Sequence, residues 1–230
     1  MPREEYQESL DALRADVRAM GDAVLDQLDG GLTALDEDDA ELGQRVVDGD
    51  AAVNERYLEL ESECIDLLAL QQPVASDLRF VTASFKILTD LERVGDLATN
   101  FGRYAGATGH GPGSGPWDPE TVDIAGIGGV CRDQLEDALD AYEAGDADAC
   151  RAVAERDDEV DALCGRASEA VVRDLLAAEA GADAWAAERV LDDISRLLLT
   201  VRDLERVGDH AVNVAARTLY AVESDPELVY

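Results

Sequence analysis

Apolar residues recur at three- and four-residue spacing along most of the chain. Leu10, Leu13, Val17, Met20, Val24, Leu25 and Leu28 mark one face of a helix over residues 4–34, with Gly30-Gly31 near its end. A second helix is expected from about Asp38-Asp39, acidic residues that suit a helix N-terminus. It continues through Leu42, Val46, Val53, Tyr57, Leu60, Cys64, Leu67 and Leu68 and ends before Gln71-Gln72-Pro73. A third, over 75–104, carries Leu78, Val81, Phe85 and Leu88. Gly106–Asp118 interleaves Gly109, Gly111, Gly113 and Gly115 with Pro112 and Pro116 and cannot continue a helix, so it reads as a linker. Asp118-Pro119 then reads as an N-cap and a first helical residue. The plan repeats over 119–143, 147–178 and 184–222, before an acidic tail at 223–230. Nothing reads as strand. Short connections make neighbouring helices antiparallel, so the expected fold is all-α: two tandem antiparallel three-helix bundles, spectrin-repeat-like, spanning 1–105 and 119–222.

The two halves share more than a plan. Asp90-Leu-Glu-Arg-Val-Gly-Asp96 returns, identical in all seven residues, as Asp203-Leu-Glu-Arg-Val-Gly-Asp209, and Ala98 and Asn100 are answered by Ala211 and Asn213. An internal repeat of this kind makes each half one structural unit.

Composition then narrows the field. The 230 residues carry a formal net charge of −33, with Lys86 the only lysine. Such a surface repels nucleic-acid phosphates, so DNA and RNA are excluded as expected partners. Self-repulsion on this scale opposes compaction at low ionic strength and is screened within about 3 Å at molar salt, which points to a halophilic source. No run of about 20 apolar residues exists, so no membrane span is expected, and the N-terminus lacks the pattern of a signal peptide. The expected location is the cytoplasm, peripheral to a membrane at most. Cys64, Cys131, Cys150 and Cys164 have no metal-binding spacing and fall within helical patterns, as reduced core residues would.

Candidate chemistry lies in the doubled motif. At about 100° per residue, the stripe Leu78, Val81, Phe85, Leu88 continues into Glu92 and Asp96, and Leu191, Ile194, Leu198, Val201 lead likewise into Glu205 and Asp209. Acids at i and i+4 repel each other. The preceding helices add Asp50 and Asn54 in one half and Asp157 and Asp161 in the other. Asn54 and Glu92 lie equally far from Pro73, as do Asp50 and Asp96; about Asp183 the same holds for Asp161 with Glu205 and Asp157 with Asp209. In antiparallel hairpins these residues face one another, giving an oxygen-rich quartet per half. Oxygen donors suit Mg, Ca, Mn or iron ions, and the absence of motif His or Cys argues against structural zinc. The competing reading is that the acids pair with Arg93, Arg206 or other arginines on a solvated face. Asn100 and Asn213 are expected as further ligands or as helix-end hydrogen-bonding residues. Gly95 and Gly208 imply close helix approach or cation access. His210 is unrepeated and reads as incidental, and no catalytic Ser/His/Asp or Cys/His set is present.

The doubled Glu-Arg-Val-Gly-Asp-x-x-x-Asn pattern on the last helix of each half resembles the PhoU family, as does Asp77-Leu-Arg79 after the Gln71-Gln72-Pro73 turn. The resemblance spans nearly the whole chain. It implies two PhoU domains in a non-enzymatic regulator of phosphate uptake and phosphate homeostasis. Such a protein forms a cytoplasmic homodimer that contacts the cytoplasmic subunits of a phosphate ABC transporter and, where one exists, a phosphate-sensing histidine kinase. It also implies metal ions on each bundle, with iron, zinc, magnesium or manganese as the cofactor expectation. The ligands would be Asp50, Asn54, Glu92, Asp96 and Asn100, then Asp157, Asp161, Glu205, Asp209 and Asn213. Asn54 replaces an acid present in the second half, so the first site is expected to be weaker or differently occupied. A carboxylate-bridged metal enzyme and a plain helical adaptor are the alternatives.

Overall fold

The computed structural model describes residues 3–71, 75–105, 122–178 and 184–228. Six helices account for the secondary structure of these residues: α1 (Arg3–Glu37), α2 (Ala40–Gln71), α3 (Ala75–Tyr104), α4 (Ile124–Ala144), α5 (Ala147–Ala178) and α6 (Ala184–Glu223). α1, α2 and α3 pack on one another as the first bundle, and α4, α5 and α6 as the second. The bundles do not stand apart. α3 lies against α6 and α1 against α4, so α2 and α5 are left on the outer sides. One continuous apolar core runs through both halves, from Leu13 and Val17 on α1 through Phe101 on α3 to Leu135, Leu204 and Val214 of the second half.

Helix starts repeat as the motif does. The Asp39 Oδ1 accepts from the backbone N–H of Glu41 and Leu42, both at 2.9 Å, and Asp146 Oδ1 accepts from Asp148 and Ala149 at 3.0 and 3.1 Å. Each aspartate thereby satisfies N–H groups that have no partner within the helix. The fourth helix departs from expectation. It begins at Ile124 with Asp123 as its cap, the side chain accepting from Gly126 N at 2.8 Å, rather than after Asp118. The expected Asp118-Pro119 start and the Gly106–Asp118 linker lie outside the described residues. α4 ends at Gly145, whose φ of 64° is the left-handed conformation that glycine adopts without penalty.

Gly30-Gly31 does not end α1, which continues to Glu37. A Cβ on Gly31 would lie 2.6 Å from the Ala98 carbonyl oxygen of α3. That glycine marks a close helix approach, not a stop. Gly43 of α2 and Gly102 of α3 meet more tightly still: a Cβ on Gly43 would lie 2.3 Å from the Gly102 oxygen, and one on Gly102 2.7 Å from the Gly43 oxygen.

The four cysteines are free and buried, as their helical placement suggests. Burial pushes the Cys64 thiol up to about 12 and those of Cys150 and Cys164 up to about 11, so these are core residues without thiolate chemistry. Among the described residues no helix is long and apolar enough to cross a membrane. Ion pairs also join the halves, with Arg18 of α1 bound to Asp140 of α4 and Arg132 of α4 to Asp29 of α1.

Candidate cation site and the clasp between repeats

The hairpins α2–α3 and α5–α6 bring the expected acids within electrostatic reach of one another. In the first half Glu92 and Asp96 are held above the ordinary carboxylate range, first by burial. Repulsion adds to this, from Asp96 and Asp50 on Glu92 and from Asp50 on Asp96. In the second, burial again leads, and the acids raise one another: Asp161 and Asp209 act on Asp157 and on Glu205, and Asp161 acts on Asp209. Among the described residues no hydrogen bond or ion pair closes on the carboxylates of Glu92, Asp96, Asp161, Glu205 or Asp209. Arginines still act on three of them at longer range, Arg93 on Glu92, Arg103 and Arg206 on Asp96, and Arg206 on Asp209. Arg206 itself pairs with Asp203 at 3.5 Å.

The acids do not continue the apolar stripe into the core. Glu92 is half-buried and Asp96 exposed, and the start of the stripe is exposed too, Leu78 to 45% and Leu191 to 52%. The quartets line a strip between two helices at the surface. As placed, no three described Asp, Glu, His or Cys side chains form a group that could enclose an ion. The donor chemistry nonetheless fits a hard cation: carboxylate and amide oxygens only, with acids that raise one another. In the first half Asn54 Nδ2 donates to Asp50 Oδ2 at 2.8 Å, which relieves Asp50 where the second half has the unpaired Asp161.

This crowding has a measurable sign. A carboxyl raised in the folded state binds protons more readily there than in the unfolded chain, so stability falls as pH rises. The penalty is fully present above the raised value and disappears as pH drops towards the ordinary 3.8 and 4.5 of Asp and Glu. Glu205→Gln is expected to raise the melting temperature of metal-free protein at pH 7 in low salt. The gain should vanish near pH 4.5 and shrink at molar KCl; thermal melts across that grid check it, and an unchanged or lowered midpoint at pH 7 counts against the repulsion.

Asn100 and Asn213 are not brought into the quartets. Asn100 Nδ2 donates to Asp203 Oδ2 at 3.2 Å, and Asn213 Nδ2 donates to Asp90 Oδ1 at 3.2 Å. Each repeat's asparagine thus holds the first aspartate of the other repeat's motif. Tyr104 adds a hydroxyl donor to Asp203 Oδ2 at 3.0 Å, and His210 Nδ1 lies 2.9 Å from Asp90 Oδ1. Asp90, Asp203 and His210 are all buried. His210 is therefore not incidental, and the two buried acids of the motif are the ones the helical stripe passes over. The motif divides by role: its ends, Asp and Asn, clasp the repeats together, while its inner Glu and Asp face the outer helix.

Comparison with known proteins agrees with this doubling. The PhoU domain family model matches residues 17–105 and 124–218, one match in each repeat. The chain is 34% identical over 222 residues to the phosphate-specific transport system accessory protein PhoU homolog of Pseudomonas putida, across 95% of this chain and 81% of the relative. It is 30% identical over 219 residues to the phosphate-specific transport system accessory protein PhoU of Escherichia coli K12, across 95% of this chain and 86% of that one. The crystal structure of PhoU from Pseudomonas aeruginosa superposes with a TM-score of 0.80 at 29% identity, covering 96% of this chain and all of that one (100%). The phosphate transport system regulatory protein PhoU from Streptococcus pneumoniae shares the fold, at 23% identity and a TM-score of 0.80. Two matched repeats, a shared six-helix fold and identity along nearly the full length place this chain in the PhoU family.

Proposed function

We propose that this protein is a non-enzymatic accessory regulator of a phosphate transport system that restrains uptake when phosphate is plentiful. The observation that carries the reading is full-length similarity to proteins named as phosphate-specific transport system accessory proteins. Those relatives are named for accessory and regulatory roles, not for catalysis. The partners are the cytoplasmic subunits of a phosphate ABC transporter and, where present, a phosphate-sensing kinase, reached from the cytoplasm by a homodimer. Each repeat holds metal ions on its carboxylate strip. Asp50, Glu92 and Asp96 with the Asn54 amide serve the first repeat, and Asp157, Asp161, Glu205 and Asp209 serve the second. The support is a duplicated set of mutually repelling acids, which a bound cation would neutralise.

Deleting the gene in its host and measuring phosphate accumulation under excess phosphate tests the role. Accumulation is expected to rise well above wild type and to return with the intact gene. It should not return fully with Glu92→Ala/Glu205→Ala. Unchanged accumulation in the deletion strain sinks the proposal. Full rescue by the double variant separates the regulatory role from the metal sites.

A further inference from the structure

The first helix of each repeat carries a glutamine that no motif announces. Gln27 and Gln134 stand 107 positions apart, the offset that also relates Asp50 to Asp157. Gln27 Nε2 donates to Asp50 Oδ1 at 3.1 Å, and Gln134 Nε2 to Asp157 Oδ1 at 3.4 Å. Gln134 is fully buried, at 0% exposure, and its Nε2 also donates to the Val153 carbonyl at 3.1 Å. Those two acceptors set the amide's orientation, since the opposite one would turn oxygen against oxygen.

In both glutamines the Oε1 is buried without a hydrogen-bond partner. It lies against the motif glycine. A Cβ on Gly95 would sit 3.1 Å from Gln27 Oε1 and 3.5 Å from Val53 Cγ1, and one on Gly208 3.3 Å from Gln134 Oε1 and 3.1 Å from Val160 Cγ1. The same two positions are 3.8 Å from Asp50 Oδ1 and 3.5 Å from Asp157 Oδ1. Leaving a buried acceptor unsatisfied is costly, and an apolar side chain would fill the space without that cost. What the amide supplies instead is an N–H aimed at one carboxylate, twice, at equivalent places.

We propose that Gln27 and Gln134 are positioning residues of the two cation sites. Each amide N–H fixes the carboxylate of Asp50 or Asp157 beside the acids of the third helix, and Gly95 or Gly208 leaves the amide room. The inference rests on the cation reading given above. It also assigns the motif glycine: the position is small because the glutamine, together with Val53 or Val160 of the second helix, must fit against it.

Full-length metal-free protein in molar KCl is titrated with Mn2+ by equilibrium dialysis, bound metal being counted by mass spectrometry. Gln27→Met and Gln134→Met are each expected to weaken Mn2+ binding at their own repeat by about 10–100-fold, the usual consequence of losing a residue that orients a ligand. Gly208→Ala should give a similar loss, and Gly208→Ala/Gln134→Met no more than either change alone, because both release the same carboxylate. Wild-type binding in both methionine variants overturns the proposal, and additive losses overturn the glycine's part in it. Tighter binding by Gln134→Glu, which keeps the oxygens but cannot donate, overturns positioning in favour of direct ligation. Wild-type protein that takes up no Mn2+ removes the cation reading and this inference with it. Gln27 is only half-buried, so its variant carries the test even where Gln134→Met fails to fold.

Discussion

Gly43→Ala is expected to lower the melting temperature by about 4–8 °C, while Gly49→Ala on the same helix raises it by about 2–4 °C. Glycine inside a helix costs about 1 kcal/mol relative to alanine, so both changes bring the same propensity gain. They differ in what the new methyl meets. At Gly49 nothing lies within 4 Å, whereas at Gly43 the Gly102 carbonyl oxygen lies 2.3 Å away and the Gly102 carbonyl carbon 3.1 Å away. Those are backbone atoms of a packed helix and cannot rotate aside, so α2 must lift from α3. Overpacking of this kind costs about 1–3 kcal/mol, and backbone against backbone belongs at the upper end. The net loss is about 2 kcal/mol after the propensity gain. Parallel thermal melts decide it; a neutral or stabilising Gly43→Ala would mean that the crossing is looser than the structure has it. The same displacement would move Asp50 and Asn54, about two and three turns along α2 and on the carboxylate strip.

Asp203→Ala is expected to cost roughly 3 kcal/mol, because the buried carboxylate accepts from both Asn100 and Tyr104, and each bond to a charged group contributes about 1.5–3 kcal/mol. Asn100→Ala alone should cost less, and the double variant less than the sum, with a coupling energy of about 0.5–3 kcal/mol. Denaturant unfolding of the four proteins measures that coupling. Strict additivity would show that the clasp is geometric only. The counterpart, Asp90→Ala, removes the acceptor of His210 and Asn213 and should behave similarly.

Much of this architecture was legible in the sequence. Hydrophobic spacing located all six helices, and the symmetric placement of acids about Pro73 and Asp183 anticipated which acids act on one another, since antiparallel hairpins convert numbering directly into register. Exposure was less legible. Leu78 and Leu191 share the helical period of buried neighbours, yet both are exposed. The start of α4 escaped because Asp118-Pro119 and Asp123 carry the same capping chemistry. The clasp was out of reach for a deeper reason. Asn100 with Asp203 and His210 with Asp90 join halves whose relative placement depends on how α3 meets α6, and no periodicity within one helix encodes that. The glutamines had a faint signal: they keep the offset of Asp50 and Asp157, but a single glutamine on an amphipathic helix looks like any surface residue.

The reciprocal pairing of Asn100 with Asp203 and Asn213 with Asp90 has the form of an isologous contact, in which position i meets position j and j meets i. That is the geometry by which a two-fold dimer of one three-helix unit would hold itself together, here written into a single polypeptide. Covalent joining frees the two halves from being identical. His210 stands where the first repeat has Leu97, and Asn54 where the second has Asp161. A symmetric dimer could change such positions only in pairs. In this chain one face of the interface can take a histidine, and one strip can shed a charge, while the other stays as it was.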